Sequence, residues 1–367
     1  LCSGSIVPEI WLNYGASEVV LDIKAENLEQ NIDSEGKNLE DSELSERLLS
    51  GLDLSKPMEL VVLHSSKNTQ KIISALYSHV EQKSLPFPKR LADRRVRSLV
   101  KSGLPEASAI SEFGDAGLSN PNLVFMSEIE LDGLFGFETV STRLMRRFGR
   151  ENMLAAYAKR RDNLPAPGQP TESIAEARKF ADGFEITGIE IVANSKGIVD
   201  VSVGHPAKTM DVSRSLEAVA VKDAGQQRAA IISTGKDASN DTLGRSLSSL
   251  WNCYGGIRAG GLAVLLAECG GGLGYGAIRQ FIEGRLDADK LKNPARYVDG
   301  MEALLYLAEV QKIFQVGLVS VLPEFYVKKL NMVPLNGAKY ALEHILKTQG
   351  PRQKVSVVSD GARVLLR

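Results

Sequence analysis

Met58-Glu59-Leu60-Val61-Val62-Leu63-His64-Ser65-Ser66-Lys67-Asn68-Thr69 is the stretch on which the fold turns. A run this apolar suits a strand buried on both faces, as in a parallel sheet. Ile72, Ile73, Leu76 and Tyr77 then recur at helical spacing between Thr69 and Val80, so the unit reads strand, loop, helix. Open α/β sheets bind ligands beyond the carboxyl ends of their strands, which makes Ser65-Ser66-Lys67-Asn68 a candidate binding loop.

Working outward, Ile10 to Gly15 and Glu18 to Ile23 read as a hairpin, and Ala25 to Leu52 is polar, acidic and helical in tendency. Beyond the central unit, a polar stretch from Glu81 to Asn122 ends at Leu123-Val124-Phe125-Met126, a further strand. Asp132 to Phe137 leads into a basic helix from Thr142, and a proline-rich break at Leu164 to Pro170 precedes a helix over Glu172 to Ala181. Phe184 to Val192 and Gly197 to Val203 form a second hairpin. From Ser213 strands alternate with helices: strands at Ala229 to Ser233, Gly261 to Ala267 and Val316 to Val321, and helices from Asp241, Ala277, Met301 and Ala338. Val355 to Val358 and Ala362 to Leu366 complete the chain. Such alternation implies a parallel or mixed sheet covered on both faces.

A chain of 367 residues is long for one core. The expectation is an α/β fold: two α/β domains with mixed or parallel sheets and a cleft between them. The N-terminal domain takes residues 1–211 and the C-terminal domain residues 212–367, and the last strands could return to pack on the first domain. Hydrophobic residues at 43% and charged residues at 24% are ordinary for a globular protein. The formal net charge of -1 gives nucleic-acid binding no support. The densest basic cluster, Arg143, Arg146, Arg147, Arg150, Lys159, Arg160 and Arg161, reads first as a solvated helix face. Cys2, Cys253 and Cys269 are too few and too far apart for a disulfide framework or a closed zinc site, so a reducing cytoplasm is expected. No basic N-terminal leader and no apolar run of bilayer length is present, and no membrane partner is expected.

Gly270-Gly271-Gly272-Leu273-Gly274-Tyr275-Gly276-Ala277 contains G-x-G-x-x-A between a strand and a helix. A dinucleotide fingerprint also needs an acidic residue at the end of the next strand, whereas Asp287 and Asp289 fall in a polar helical stretch. A tight strand-to-helix turn is the stronger reading. Ser233-Thr234-Gly235-Lys236-Asp237-Ala238-Ser239-Asn240-Asp241 occupies a similar position, and its hydroxyls, lysine and carboxylates suit a hydroxy acid; equally, Asn240 or Asp241 would cap the next helix. His64, His79, His205 and His344 stand at no metal-ligand spacing.

The order of these pieces resembles the nickel-dependent lactate racemase family. The likeness is carried by Glu9 to Gly15, by Ala230-Ile231-Ile232-Ser233-Thr234 with Asp241, by Gly260-Gly261 and by the ending Lys354 to Leu366. It implies a nickel pincer nucleotide held on a lysine, two histidines as alternating acid and base, and a 2-hydroxy acid bound between the domains. The family's D-H-T-R-P motif falls on Lys67-Asn68-Thr69-Gln70-Lys71, so only Thr69 is kept. One catalytic histidine falls on Pro105, the second on Asp132, the cofactor lysine on Thr142 or its neighbour, and the nickel-binding histidine on Tyr157. On the helix after Asp241, the family's tyrosine, glutamine and lysine fall near Arg245, Ser246 and Ser249.

A hydroxy acid's α-proton is too weakly acidic for a general base alone, so loss of the cofactor residues closes the family's hydride route. No cofactor and no metal is therefore expected, and whether the protein is an enzyme stays open. One reading is a cleft re-equipped for a small anionic molecule such as a hydroxy acid, lined by His64, Lys67, Asn68, Thr69, Asp132, Arg143, Thr234, Lys236, Asp237, Asp241 and Arg245. The other is a binding or regulatory module without catalysis. A homodimer is the default assembly.

Overall fold

The computed structural model describes residues 9–93, 96, 111–114, 118, 122–208, 211–237 and 240–367. In chain order the strands are β1 (Glu9–Tyr14), β2 (Ser17–Asp22), β3 (Leu28–Ile32), β4 (Glu59–Val62), β5 (Lys89–Ala92), β6 (Ser111–Glu112), β7 (Leu123–Glu128), β8 (Glu130–Asp132) and β9 (Gly136–Glu138). There follow β10 (Thr187–Ala193), β11 (Ile198–Gly204), β12 (Val221–Lys222), β13 (Gln227–Ser233), β14 (Ile257–Leu266), β15 (Gln315–Val319), β16 (Val333–Leu335), β17 (Val355–Val358) and β18 (Leu365–Leu366).

Two six-stranded sheets organise the α/β fold, in the orders β11-β10-β7-β4-β5-β6 and β16-β15-β14-β13-β17-β3. The first is mixed, because β11 returns antiparallel on β10 while β10, β7, β4, β5 and β6 run parallel. In the second every pairing is parallel. Both sheets are covered on both faces, as the near-continuous apolar strands require. Leu60 and Val62 of β4 enter the core under the helices Asp41–Ser50 and Lys67–Gln82, whereas Val61 packs on the opposite face with Phe125, Val140 and Leu144. In the second sheet Ile232 and Leu265 face the large core containing the helices Leu243–Cys253 and Met301–Val310, and Ile231 and Val264 face the core completed by the β1–β2 hairpin and the helix Ala338–Gln349.

Two expectations need correction. Ala25 to Leu52 is not helical throughout: after a single 3-10 turn at Ala25–Asn27, Leu28–Ile32 is a strand, and the α-helix is confined to Asp41–Ser50, with Leu44 and Leu48 as its buried side. β3 pairs in parallel with β17, and Leu12, Leu21 and Ile23 are buried against the second sheet, so residues 9–32 pack with the C-terminal half and not with the first sheet. Of the last strands, β17 lies between β13 and β3, and so pairs with residues placed in the N-terminal domain, while β18 pairs with β12. Sequence periodicity could not show these pairings, because they join segments hundreds of residues apart.

Candidate functional site

In the first sheet the chain steps from β4 outward to β5 and β6, then comes back to the other side of β4 as β7. The second sheet does the same, running from β13 to β14, β15 and β16 before returning as β17. Crevices open beyond the carboxyl ends of strands at such reversals. Here the two crevices meet. His64 and Ser66 follow β4, Glu128 ends β7, Asp237 follows β13, and Asp360 and Arg363 follow β17.

Arg363 joins the two sides. Its Nη2 donates to Glu128 Oε1 at 2.6 Å and also to Asp237, and its Nη1 donates to Asp360 Oδ2 at 2.9 Å. Glu128 Oε2 in turn accepts from Ser66 Oγ at 2.7 Å and from Asn68 Nδ2 at 3.2 Å. Ser66 caps the helix Lys67–Gln82 in a reciprocal box with Thr69, so the helix start and the buried carboxylate are fixed together. Deeper in, Arg143 pairs with Glu130 and lies 3.3 Å from Glu138, while His64 Nε2 stands 3.6 Å from Glu130 Oε1. Arg245 reaches from the second side to donate to Glu138 Oε2 at 2.6 Å. Arg146 donates to Asp132 Oδ2 at 3.0 Å and to Glu302, and its guanidinium lies 4.9 Å from the Phe135 ring centre.

The carboxyls divide by environment. Burial works to raise Glu138, but the guanidiniums of Arg143, Arg245 and Arg146 outweigh it and hold this carboxyl at about 2. For Glu130 burial is likewise overcome, here by His64 and then by Arg143 and Arg245, and its carboxyl lies well below the ordinary range. Glu302 goes the other way: burial raises it despite Arg146. Asp360 is pushed up to about 6, by burial against the pull of Arg363 and with repulsion from Asp237. Among the described residues its Oδ1 has no hydrogen-bond partner.

Between the sheets lies a cavity lined by Glu130, Asp132, Glu138, Arg146, Arg245 and Glu302, with Trp251, Tyr275 and Tyr306 as its aromatic walls. Its volume is about 30 Å³, room for a water or two and less than a hydroxy acid needs.

The chain shares its fold with a lactate racemase. The lactate racemase apoprotein from Thermoanaerobacterium thermosaccharolyticum matches with a TM-score of 0.71 over 98% of this chain and 100% of that one, at 17% identity. A Thermotoga maritima protein of known crystal structure matches with a TM-score of 0.63 over 91% and 100% of the two chains, at 12% identity. No family model matches the chain, and no curated protein does. Identities this low carry the fold, and the chemistry of the site rests on its own side chains.

Of the sequence-derived candidates, Asn68 and Asp237 belong to the Arg363–Glu128 cluster, and His64, Asp132, Arg143 and Arg245 to the deeper cluster around Glu130 and Glu138. Lys67 belongs to neither: it is exposed on the first turn of its helix. Lys236 is exposed too and pairs with Glu18 of the N-terminal hairpin. Thr69 is spent on the capping box, and Thr234 is buried with its carbonyl accepting from Asn240 Nδ2 at 3.2 Å. Thr242, not Asn240 or Asp241, caps the helix Leu243–Cys253. Asp241 instead accepts from the Gly270 amide at 2.9 Å and holds the glycine-rich loop. That loop is a turn whose Gly271 amide also bonds back to Asp241, and a Cβ on Gly274, at φ +76°, would stand 2.6 Å from the Thr242 hydroxyl. Pro105 lies outside the described residues. The basic helix is no solvated face at its start, because Arg143 and Arg146 turn inward to the carboxylates.

Sequence reading missed Glu128, Glu130, Glu138, Arg146, Glu302, Asp360 and Arg363 as site residues. Two carried a signal. Glu128 closes an otherwise apolar strand at its carboxyl end, and Glu302 is a carboxylate near the start of the apolar helix Met301–Val310.

Proposed function

We propose that this protein is a lactate-racemase-like protein that does not racemise lactate through a nickel nucleotide, and that its intersheet site binds a small carboxylate-bearing molecule such as a 2-hydroxy acid. The observation that carries the reading is Arg146, buried beside the cavity and shared between Asp132, Glu138 and Glu302. Burial raises the Glu302 carboxyl, so it takes up a proton more readily than Glu138, which is held at about 2. A neutral Glu302 holds Nη1 of the always-charged guanidinium less strongly than a carboxylate does, and a ligand carboxylate can take that donor while Asp132 and Glu138 keep theirs. Entry requires the cavity to widen, because its present size admits only water.

The residues at the family's cofactor positions do not fit the nickel nucleotide. Thr142 has its hydroxyl closed in the capping box with Thr139, the Tyr157 hydroxyl donates to the Leu291 carbonyl at 2.7 Å, and Asp132 accepts from the Leu134 and Phe135 amides. Among the described residues no group of three histidine, cysteine or acidic side chains is placed to hold a metal ion. The smallness of the cavity favours a second reading, a ligand-free contact between the sheets in a module without catalysis.

Calorimetric titration with 2-hydroxy acids at several pH values separates the two. Saturable binding that strengthens as pH falls through the raised Glu302 carboxyl, takes up a proton and is lost in Arg146→Leu supports the ligand site. No heat from any hydroxy acid at millimolar concentration supports the contact. Racemisation of D-lactate with stoichiometric nickel would overturn the first half of the proposal.

A further inference from the structure

We propose that a groove on the opposite side of the helix Met301–Val310 binds a medium-chain carboxylate. This helix presents two faces. Glu302, Ala303 and Tyr306 line the intersheet cavity, whereas Leu304, Leu307 and Ala308, at helical spacing, line a separate groove of about 300 Å³. The groove is completed by Phe281, Leu291 and Leu330. Leu291, Leu304, Leu307 and Leu330 are buried core residues, so its floor is rigid and apolar, and its size is that of a small-molecule site.

The rim supplies the charge. Lys312 and Lys329 both stand at the groove. Lys312 is held by Glu309 at 2.7 Å. Lys329 has no carboxylate partner among the described residues, and its ammonium lies 6.0 Å from the exposed Phe325 ring. An apolar channel ending at an uncommitted cation fits an alkyl chain with an anionic head. Each methylene buried on the floor strengthens binding by about fourfold, while the ammonium favours a carboxylate over an alcohol of equal length.

The test is titration with sodium decanoate below its micellar concentration, read by calorimetry, alongside octanoate, 1-decanol and Ala308→Trp and Lys329→Glu proteins. Both substituted residues are exposed, so the fold is retained and the thermal midpoint checks it. The expected result is saturable decanoate binding, roughly fifteenfold tighter than octanoate, weakened at least about tenfold by Lys329→Glu and abolished by Ala308→Trp. Weaker binding of 1-decanol supports the role of the charge. Absence of saturable decanoate binding, indifference to both substitutions, or binding only to phosphatidylglycerol vesicles would overturn the proposal. Because Arg146 takes no part, Arg146→Leu leaves decanoate binding intact, which keeps this site and the intersheet site separable.

Discussion

Gly235 lies at φ +78°, and a Cβ there would stand 2.4 Å from Asp360 Oδ1. Only glycine lets the loop after β13 pass over the buried carboxyl. Gly235→Ala is expected to cost about 2–4 kcal/mol from left-handed strain and displacement of Asp360, measured by urea unfolding. Asp360 also gives stability a pH dependence. Its folded value of about 6 lies above the ordinary 3.8, so the folded state holds its proton more tightly. The contribution is full below the unfolded value and is lost as pH rises through about 6; its upper size is roughly 3 kcal/mol. Glu138 has the opposite sign: held at about 2, it stabilises above the ordinary carboxylate value of 4.5, and that contribution is lost as pH falls through about 2. Asp360→Asn should therefore flatten the limb between the two Asp360 values in a stability profile, and an unchanged limb would refute the assignment. None of this was legible in the sequence. The loop Ser233 to Asp241 was visible as a polar strand end, but its carboxylate partner Asp360 arrives from more than a hundred residues away, and long-range ion pairs leave no local pattern.

At the scale of elements, the helix Lys67–Gln82 begins on a Ser66 that does two things at once, capping Thr69 and donating to Glu128. Ser66→Ala should therefore lose both the cap and a hydrogen bond to a buried charge, together about 2–4 kcal/mol. Thr242→Ala, which removes a cap without such a carboxylate, should cost only about 1 kcal/mol. Equal losses in paired denaturation curves would show that the Ser66–Glu128 bond contributes nothing. This helix and its strand were legible from Leu60 to Leu63 and the recurrence of Ile72, Ile73 and Leu76, because both faces of β4 are buried and one side of the helix is. β5 was not: Lys89-Arg90-Leu91-Ala92 has only two apolar residues within a proline-rich stretch, and its burial comes from a place beside β4 that no local period signals. β3 was hidden in the same way, since Leu28-Glu29-Gln30-Asn31-Ile32 is polar in the middle and gains its order from β17.

For the whole molecule, Arg363 is the cation that holds Glu128 of the first sheet to Asp237 and Asp360 of the second. Arg363→Met leaves three buried carboxylates facing one another and is expected to cost about 3–5 kcal/mol. Because the pairs join the two sheets, calorimetry should also show one cooperative transition splitting into two, whereas a single transition merely shifted to lower temperature would deny the arginine that role. The placement of β3 has a consequence for synthesis. A ribosome makes β1, β2 and β3 long before β17, on which β3 pairs from more than 300 residues away. Until then Leu12, Leu21 and Ile23 lack the part of their core that Val355 and Val357 supply, and the nascent chain carries an apolar hairpin with an unpaired strand beside it. The first sheet has all its strands once β11 is made, but the second must wait for β17. Chaperone demand should accordingly fall sharply in a circular permutant that makes residues 9–32 after residue 358.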